Sequence, residues 1–342
     1  MKKSLFMLGV AVAALASCTQ SEVLDIAESN VIKFDNAFVG KPTRAVKAPE
    51  VTTADIDKMY VFAHDNDGIV FDKNPKMVYK ITGTDEWGYD NLVQWKASNT
   101  YQFVAYAGKE FTGTDGTVSA NSDNKSLKFE NIVVDGEKQF DLLYSNNVEH
   151  ATSAITGNPK IEFTFEHLLS MVQFTLKSGF GATTKVEVSN FEFYGLKTTG
   201  TYDANAWTAT STANEKGATN FKVAGPETAQ YKTDGSTDVV NSWVIIPQQN
   251  HATDKVEMVS FDVKVTDGDP GTVIATKSIT ANIPSITWTK GNRYNYIFTI
   301  TPEVVEIEDE YITFDAPTVS EWTDNDLTVD QNTSSTEGVE LN

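Results

Sequence analysis

The sequence predicts an all-β protein built as two tandem antiparallel β-sandwich domains. Three observations carry that reading. Short segments place apolar side chains at every second position, Asp- and Gly-rich turns separate them, and no long segment repeats apolar residues at helical spacing. In an antiparallel sheet, alternation of this kind buries one face and leaves the other to water.

Taken in chain order, strands are expected at residues 59–63, 101–107, 160–165, 171–176, 185–188, 190–194, 242–246, 259–265 and 294–300. Hairpin turns fall at Asp65-Asn66-Asp67-Gly68, Asp115-Gly116, Asp135-Gly136, Asp234-Gly235 and Asp267-Gly268, where positive backbone angles suit Gly, Asn and Asp. The first of these begins like a calcium loop, but it lacks the later ligands and the bidentate glutamate, so a turn is expected. The polar stretch 150–159 has no strand pattern and reads as a linker. It divides an N-terminal domain, 45–158, from a C-terminal domain, 159–302, leaving 303–342 as an acidic strand and tail. Within that last segment, 304–307 and 311–314 cluster like strands.

The chain begins with Lys2 and Lys3, an apolar run over 5–16, and then its only cysteine, in Leu15-Ala16-Ser17-Cys18. A spanning helix needs about 20 apolar residues, and this run is shorter. It reads as a signal peptide, 1–17, with small residues for a peptidase and a thiol to accept lipid. Leu-Ala-Ser-Cys resembles a bacterial lipoprotein signal. The expected location is therefore the outer membrane, with Cys18 as the lipidation site.

Composition bounds the partners. The chain has 27 basic and 47 acidic side chains, a net charge of -20, which excludes binding to a phosphate backbone and so to nucleic acid. After Arg293 there is no Lys or Arg, while 303–342 holds 12 carboxylates. Catalytic patterns are missing: the 4 histidines are dispersed, and no nucleophile elbow, phosphate loop or dinucleotide fingerprint follows a strand. No enzyme, cofactor or metal site is expected. Trp87, Tyr89, Trp95 and Trp207 lie near polar turns, where they could stack on sugar rings or fill a core.

Ahead of the first domain, Val31 to Val39 alternates like a strand, with Ile32, Phe34 and Phe38 on one side. Gly40 and Pro42 end it and leave Arg44-Ala45 in an open loop, where a basic residue invites proteolysis. From the residues alone, an uncut loop after a first strand is an equal reading.

Five motifs in order carry a family resemblance. They are Ile32-x-Phe34-x-Asn36-x-Phe38-Val39 with Thr43-Arg44-Ala45; Phe165-Glu166-His167 through Phe174; Ile245-Ile246-Pro247-Gln248-Gln249; Trp288 through Gly291 to Tyr296; and Ile312-Thr313-Phe314 followed by Ser320-Glu321-Trp322. Together they resemble the fimbrillin family, the type V pilins of Bacteroidia. The resemblance implies transthyretin-like sandwiches, export as a lipoprotein, and removal of the segment ahead of Ala45 by an arginine-specific protease cutting after Arg44. It further implies that the displaced strand, with Ile32, Phe34 and Phe38, is replaced by a C-terminal strand from another pilin subunit. The outcome would be a head-to-tail homo- or hetero-polymer, an extracellular fimbrium that supports adhesion. Donor candidates are Ile312, Phe314, Val319, Trp322, Leu327 and Val329. The extreme tail, 331–342, offers only Val339 and Leu341 as large apolar residues and departs from an alternating donor. The alternative reading is a surface lipoprotein that does not polymerise and binds glycan or another ligand through its sandwiches.

Overall fold

The computed structural model describes residues 30–39, 56–136, 139–152, 158–181, 183–216, 221–222, 229–231, 239–250, 257–268, 271–306 and 312–322. These residues form four sheets. The nine-stranded sheet runs β1 (Lys33–Val39), β11 (Lys160–His167), β9 (Leu143–Ser145), β6 (Thr100–Ala107), β2 (Lys58–Asp65), β4 (Lys76–Lys80) and β5 (Trp87–Gly88). Off this path, β10 (Val148–Ala151) pairs with β6 and β3 (Gly68–Ile69) with β2. A four-stranded sheet follows the order β15 (Ala206–Ala209), β14 (Thr199–Asp203), β8 (Leu127–Val133), β7 (Thr117–Ala120). The remaining two sheets are β17 (Val239–Ile245), β12 (Ser170–Ser178), β20 (Asn292–Ile300), β22 (Thr318–Glu321), and β16 (Ala229–Tyr231), β13 (Thr184–Phe193), β18 (Glu257–Asp267), β19 (Thr272–Asn282), β21 (Ile312–Thr313).

The fold is all-β, as expected, with one helix among the described residues, α1 (Pro302–Glu306). Three cores hold it together. In the first, Ile32, Phe34, Met59, Val61, Trp95, Phe103 and Phe163 fill one face of the nine-stranded sheet. In the second, Tyr60, Phe62, Val104 and Tyr106 on the opposite face meet Phe129 and Tyr202 of the β8–β14 sheet. The third lies between the last two sheets, joining Phe174, Trp243 and Tyr296 to Phe191, Phe193 and Phe261.

Strands β2 and β6 therefore bury both faces, which is why Met59 to Ala63 is apolar at every position rather than alternating. The chain leaves the nine-stranded sheet at Leu168 and Leu169, both with no exposed surface, and enters the next at Ser170. Strand β11, which follows residue 158, hydrogen-bonds to β9 on one side and β1 on the other.

Several local expectations are corrected. Pairing is not purely antiparallel, since β1 with β11, β12 with β20 and β19 with β21 run parallel. The start of the 150–159 stretch is not linker: His150 lies in β10 opposite Tyr101, and the Thr152 hydroxyl donates to the carbonyls of Lys96 and Asn99. Residues 304–306 are helical rather than extended, because Pro302 suits a first helical position and the Thr301 carbonyl receives the Val305 N–H at 3.3 Å. The long strand β19 is half-exposed and interrupted by Thr and Lys, so its first half carries no alternation in sequence. The turn at Asp65 to Gly68 is a hairpin in which Asp65 Oδ1 accepts the Asp67 N–H at 2.9 Å.

Candidate functional site

The seat of β1 is the feature around which function can be built. Strand β1 lies at the sheet edge, but the segment 30–39 is engaged on both sides. One side pairs in parallel with β11, Lys33 with Lys160 and Phe34 with Ile161. On the other, the Ile32 N–H donates to the Val93 carbonyl at 2.9 Å, and the Trp95 N–H donates to the Asn30 carbonyl at 3.0 Å. Because residues 93–95 follow β5 at the opposite edge, the segment 30–39 bridges the two edges of one curled sheet.

Apolar contacts match the hydrogen bonding. Ile32 has no exposed surface and Phe34 is 3% exposed. The Phe34 ring meets Tyr89, Phe163, Phe71 and Phe103, with centroids 5.7, 6.1, 6.4 and 6.4 Å away. Tyr89 acts as a clasp: its hydroxyl donates to the Ile32 carbonyl at 2.9 Å and accepts the Val93 N–H at 3.3 Å. Burial pushes this phenol up to about 12. At the rim, Asp35 Oδ2 lies 3.3 Å from Lys160 Nζ.

A bulge separates Phe34 from Ala37, so that Ala37 and Val39 pair with the core residues Phe163 and Phe165 while Phe38 pairs with Thr164. The extra residue in β1 shifts the pairing register by one. Cys18, Arg44 and Ala45, and the side chain of Phe38, lie outside the described residues.

At the other end of the chain, four donor candidates are already used within the subunit. Ile312 pairs with Ala281, and the Phe314 N–H donates to the Asn282 carbonyl at 2.9 Å. The Phe314 ring lies 5.1 Å from Phe298 and 5.6 Å from Phe174. Val319 pairs with Tyr294 and remains 50% exposed. Trp322 is buried, its N–H donating to the Gly291 carbonyl at 3.0 Å, and its indole stacks on His167 at 4.5 Å. His167 Nδ1 in turn lies 2.9 Å from Asp141. Leu327 and Val329 fall outside the described residues.

Of the residues considered for sugar stacking, three are core residues and the fourth packs partly buried against a core. Trp87, Tyr89 and Trp95 are buried, and Trp207 donates its indole N–H to the Leu168 carbonyl. Sequence reasoning missed Tyr89 as the clasp and Phe71 as a wall. Only the distance in sequence between Ile32 and Tyr89 hid that role.

The N-terminal strand thus closes one sheet, and the last described strand, β22, pairs with β20 of another. The profile of the fimbrillin-like family matches residues 43–322, and the chain belongs to that family. A pilin or adhesion role at the cell surface, assembly with other pilin subunits and a structural rather than enzymatic task go with that membership. Among solved structures, it is similar to a candidate cell adhesion protein of Bacteroides ovatus, with 16% identity, covering 86% of this chain and 98% of that one, TM-score 0.47. A candidate cell adhesion protein of Bacteroides uniformis shows 17% identity, the same 86% and 98% coverage and a TM-score of 0.46. A candidate adhesin of Bacteroides thetaiotaomicron shows 11% identity, with 87% of this chain and 98% of that one covered, TM-score 0.42. No curated protein matches the chain.

Proposed function

We propose that this protein is a structural subunit of a cell-surface fimbrium, lipidated at Cys18 on export to the outer membrane, cut after Arg44 by an arginine-specific protease, and polymerised by strand exchange. The observation that carries the reading is the placement of β1: an edge strand that closes a core, joined to the rest of the chain through the Arg44 loop. Cutting there leaves β1 held only by noncovalent contacts. Burial of Ile32 and Phe34 contributes roughly 1.5–3 kcal/mol each, so β1 stays seated until a competitor arrives or the lipid draws it away.

Departure of β1 would free the backbone groups of β11 and residues 93–95, together with an aromatic pocket. Such an edge is a template for another strand, with main-chain hydrogen bonds providing affinity and alternate side chains providing register. The donor comes from beyond Trp322 of a neighbouring subunit, because Ile312, Phe314, Val319 and Trp322 already serve their own subunit. A head-to-tail interface of this kind does not close and yields a filament. The division into two sandwich domains, 45–158 and 159–302, is part of this proposal.

Removal of residues 1–44 takes away five basic and four acidic side chains, moving the net charge from -20 to -21. Repulsion between subunits is nearly unchanged, and assembly draws on groove filling. The alternative of a glycan-binding monomer has lost its proposed platform, since three of its four aromatics are buried.

The test is the N-terminus and size of the protein recovered from the native cell surface. An N-terminus at Ala45 with detergent-resistant ladders is expected. Acylated Cys18 on a monomer band alone would sink the proposal. Arg44→Ala should trap the lipidated monomer.

A further inference from the structure

We propose that Arg293 is a second, latent site for an arginine-specific protease, and that β22 is the cover that keeps it closed in a correctly folded subunit. The inference rests on the processing reading above and adds to it a check on which subunits survive the protease.

The first observation is compositional. The 27 basic side chains comprise 25 lysines and only two arginines, Arg44 and Arg293. A protease that reads arginine therefore has two places to act along the chain. One follows the N-terminal strand, and the other is the second residue of β20, directly after the turn at Lys290 and Gly291. Strands open from their ends, so this is the part of β20 that frays without disturbing Tyr296 to Ile300.

The second observation is how that end is held. Arg293 pairs with Met171 of β12 on one side and with Ser320 of β22 on the other, and its Nε donates to the Ser320 hydroxyl at 3.3 Å. A protease must seat an extended backbone, much as a sheet edge takes up an added strand. With β12 and β22 in place, both edges of Arg293 are taken. The cover is light, however: β22 contributes four register pairs, from Asn292 with Glu321 to Asn295 with Thr318, and Thr318, Val319 and Glu321 are exposed. Its firm attachment is Trp322, buried against the His167 ring. Beyond Asn295, no strand among the described residues pairs with that side of β20. When β22 lifts, β20 becomes an edge strand that begins at an arginine.

Cutting there has a large consequence. Hydrolysis of the Arg293–Tyr294 peptide bond adds water across it, giving a carboxylate on Arg293 and an amine on Tyr294. Tyr294, Tyr296 and Ile300, all buried in the third core, would then sit on a separate piece held only by noncovalent contacts. Because β22 is the last described strand, a subunit whose C-terminal segment is truncated or not yet docked lacks the cover. The protease that activates complete subunits thus destroys incomplete ones.

Limited digestion of the full chain with an arginine-specific protease, read by the N-termini of the products, tests this. The parent should give Ala45 and no Tyr294. Trp322→Ala should release a product beginning at Tyr294 at a rate raised roughly tenfold or more, since cleavage follows the population of the opened state. Adding Arg293→Lys should abolish that product. A lysine-specific protease run in parallel should cut Trp322→Ala at Lys264 and Lys277 no faster than the parent, which marks the opening as local. If that variant unfolds globally instead, a lock on β22 decides. Thr318 lies opposite Asn295, so Thr318→Cys with Asn295→Cys places two Cα atoms about 5 Å apart, within disulfide range, in a chain that has no cysteine of its own from Ala45 onward. In mild urea the oxidised pair should resist cutting at Arg293 while the reduced pair yields, with cuts at lysines elsewhere alike in both. Equal cutting at Arg293 in the two forms would overturn the proposal, as would a parent cut at Arg293 as fast as at Arg44, or a locally opened Trp322→Ala that gives no Tyr294 product. Absence of cutting at Arg44 in every variant would instead remove the processing reading beneath it.

Discussion

Residues 32–35 at the start of β1 and 312–315 at β21 share the sequence Ile-x-Phe-Asp; both strands pair in parallel with a neighbour, and Phe34 and Phe314 each enter an aromatic cluster. They differ in how they are held. β1 makes five register pairs with β11 and the chain just ahead of it, Asn30 and Ile32, bonds to residues 93–95, whereas β21 makes two pairs with β19. The stronger of the two is the one that the proposed cut releases. A strand destined to be removed can be tightly bound, because proteolysis changes its removal from local unfolding into dissociation of a separate molecule. β21 has no such route and stays with its own domain.

The largest effect that would sharpen this comparison is loss of each phenylalanine. Phe34→Ala and Phe314→Ala should each lower the unfolding free energy of the uncut protein by about 3–5 kcal/mol, read by denaturant titration. A cost below about 1 kcal/mol for Phe34→Ala would mean that β1 is not the closing strand described here. Next in size is the clasp. Tyr89→Phe should cost about 1–2 kcal/mol, since it removes the donor to the Ile32 carbonyl and the acceptor for the Val93 N–H.

The same phenol sets a pH dependence. Burial raises the Tyr89 pKa in the folded protein to about 12, above its unfolded value of 10.0. Its contribution is therefore complete below pH 10 and is lost as pH rises towards 12. Proteolytic susceptibility of the Arg44 loop should increase over that window, and less so in Tyr89→Phe. The smallest effect belongs to Asp35→Asn. Both partners of its ion pair with Lys160 are partly exposed, so the loss should stay within about 0.5 kcal/mol in the uncut protein.

Much of the architecture was legible along the chain. Period-two segments at 101–107, 160–165, 171–176 and 294–300 all became strands, because alternation is a local property of a pleated backbone. Segments 185–188 and 190–194 merged into β13, whose bulge between Ser189 and Glu192 looks like a turn in sequence. Strand β19 escaped notice because Val273 and Ile274 are exposed, with no alternation at that end. The candidate site was half legible. Ile32 and Phe34 announced a strand by their spacing, but the register shift between Phe34 and Ala37 has no sequence mark.

By itself, the sequence determined the all-β class, the apolar run ahead of a lone thiol at Cys18 and the position of Arg44 shortly after an apolar strand. Each depends on residues close together in the chain. Only the tertiary structure decided that β1 joins both edges of a curled sheet, that Tyr89 clasps it, and that Phe314 and Trp322 are committed to their own subunit. Those facts depend on pairings between residues tens or hundreds of positions apart, and side-chain alternation says which face a residue takes but not which strand lies beside it.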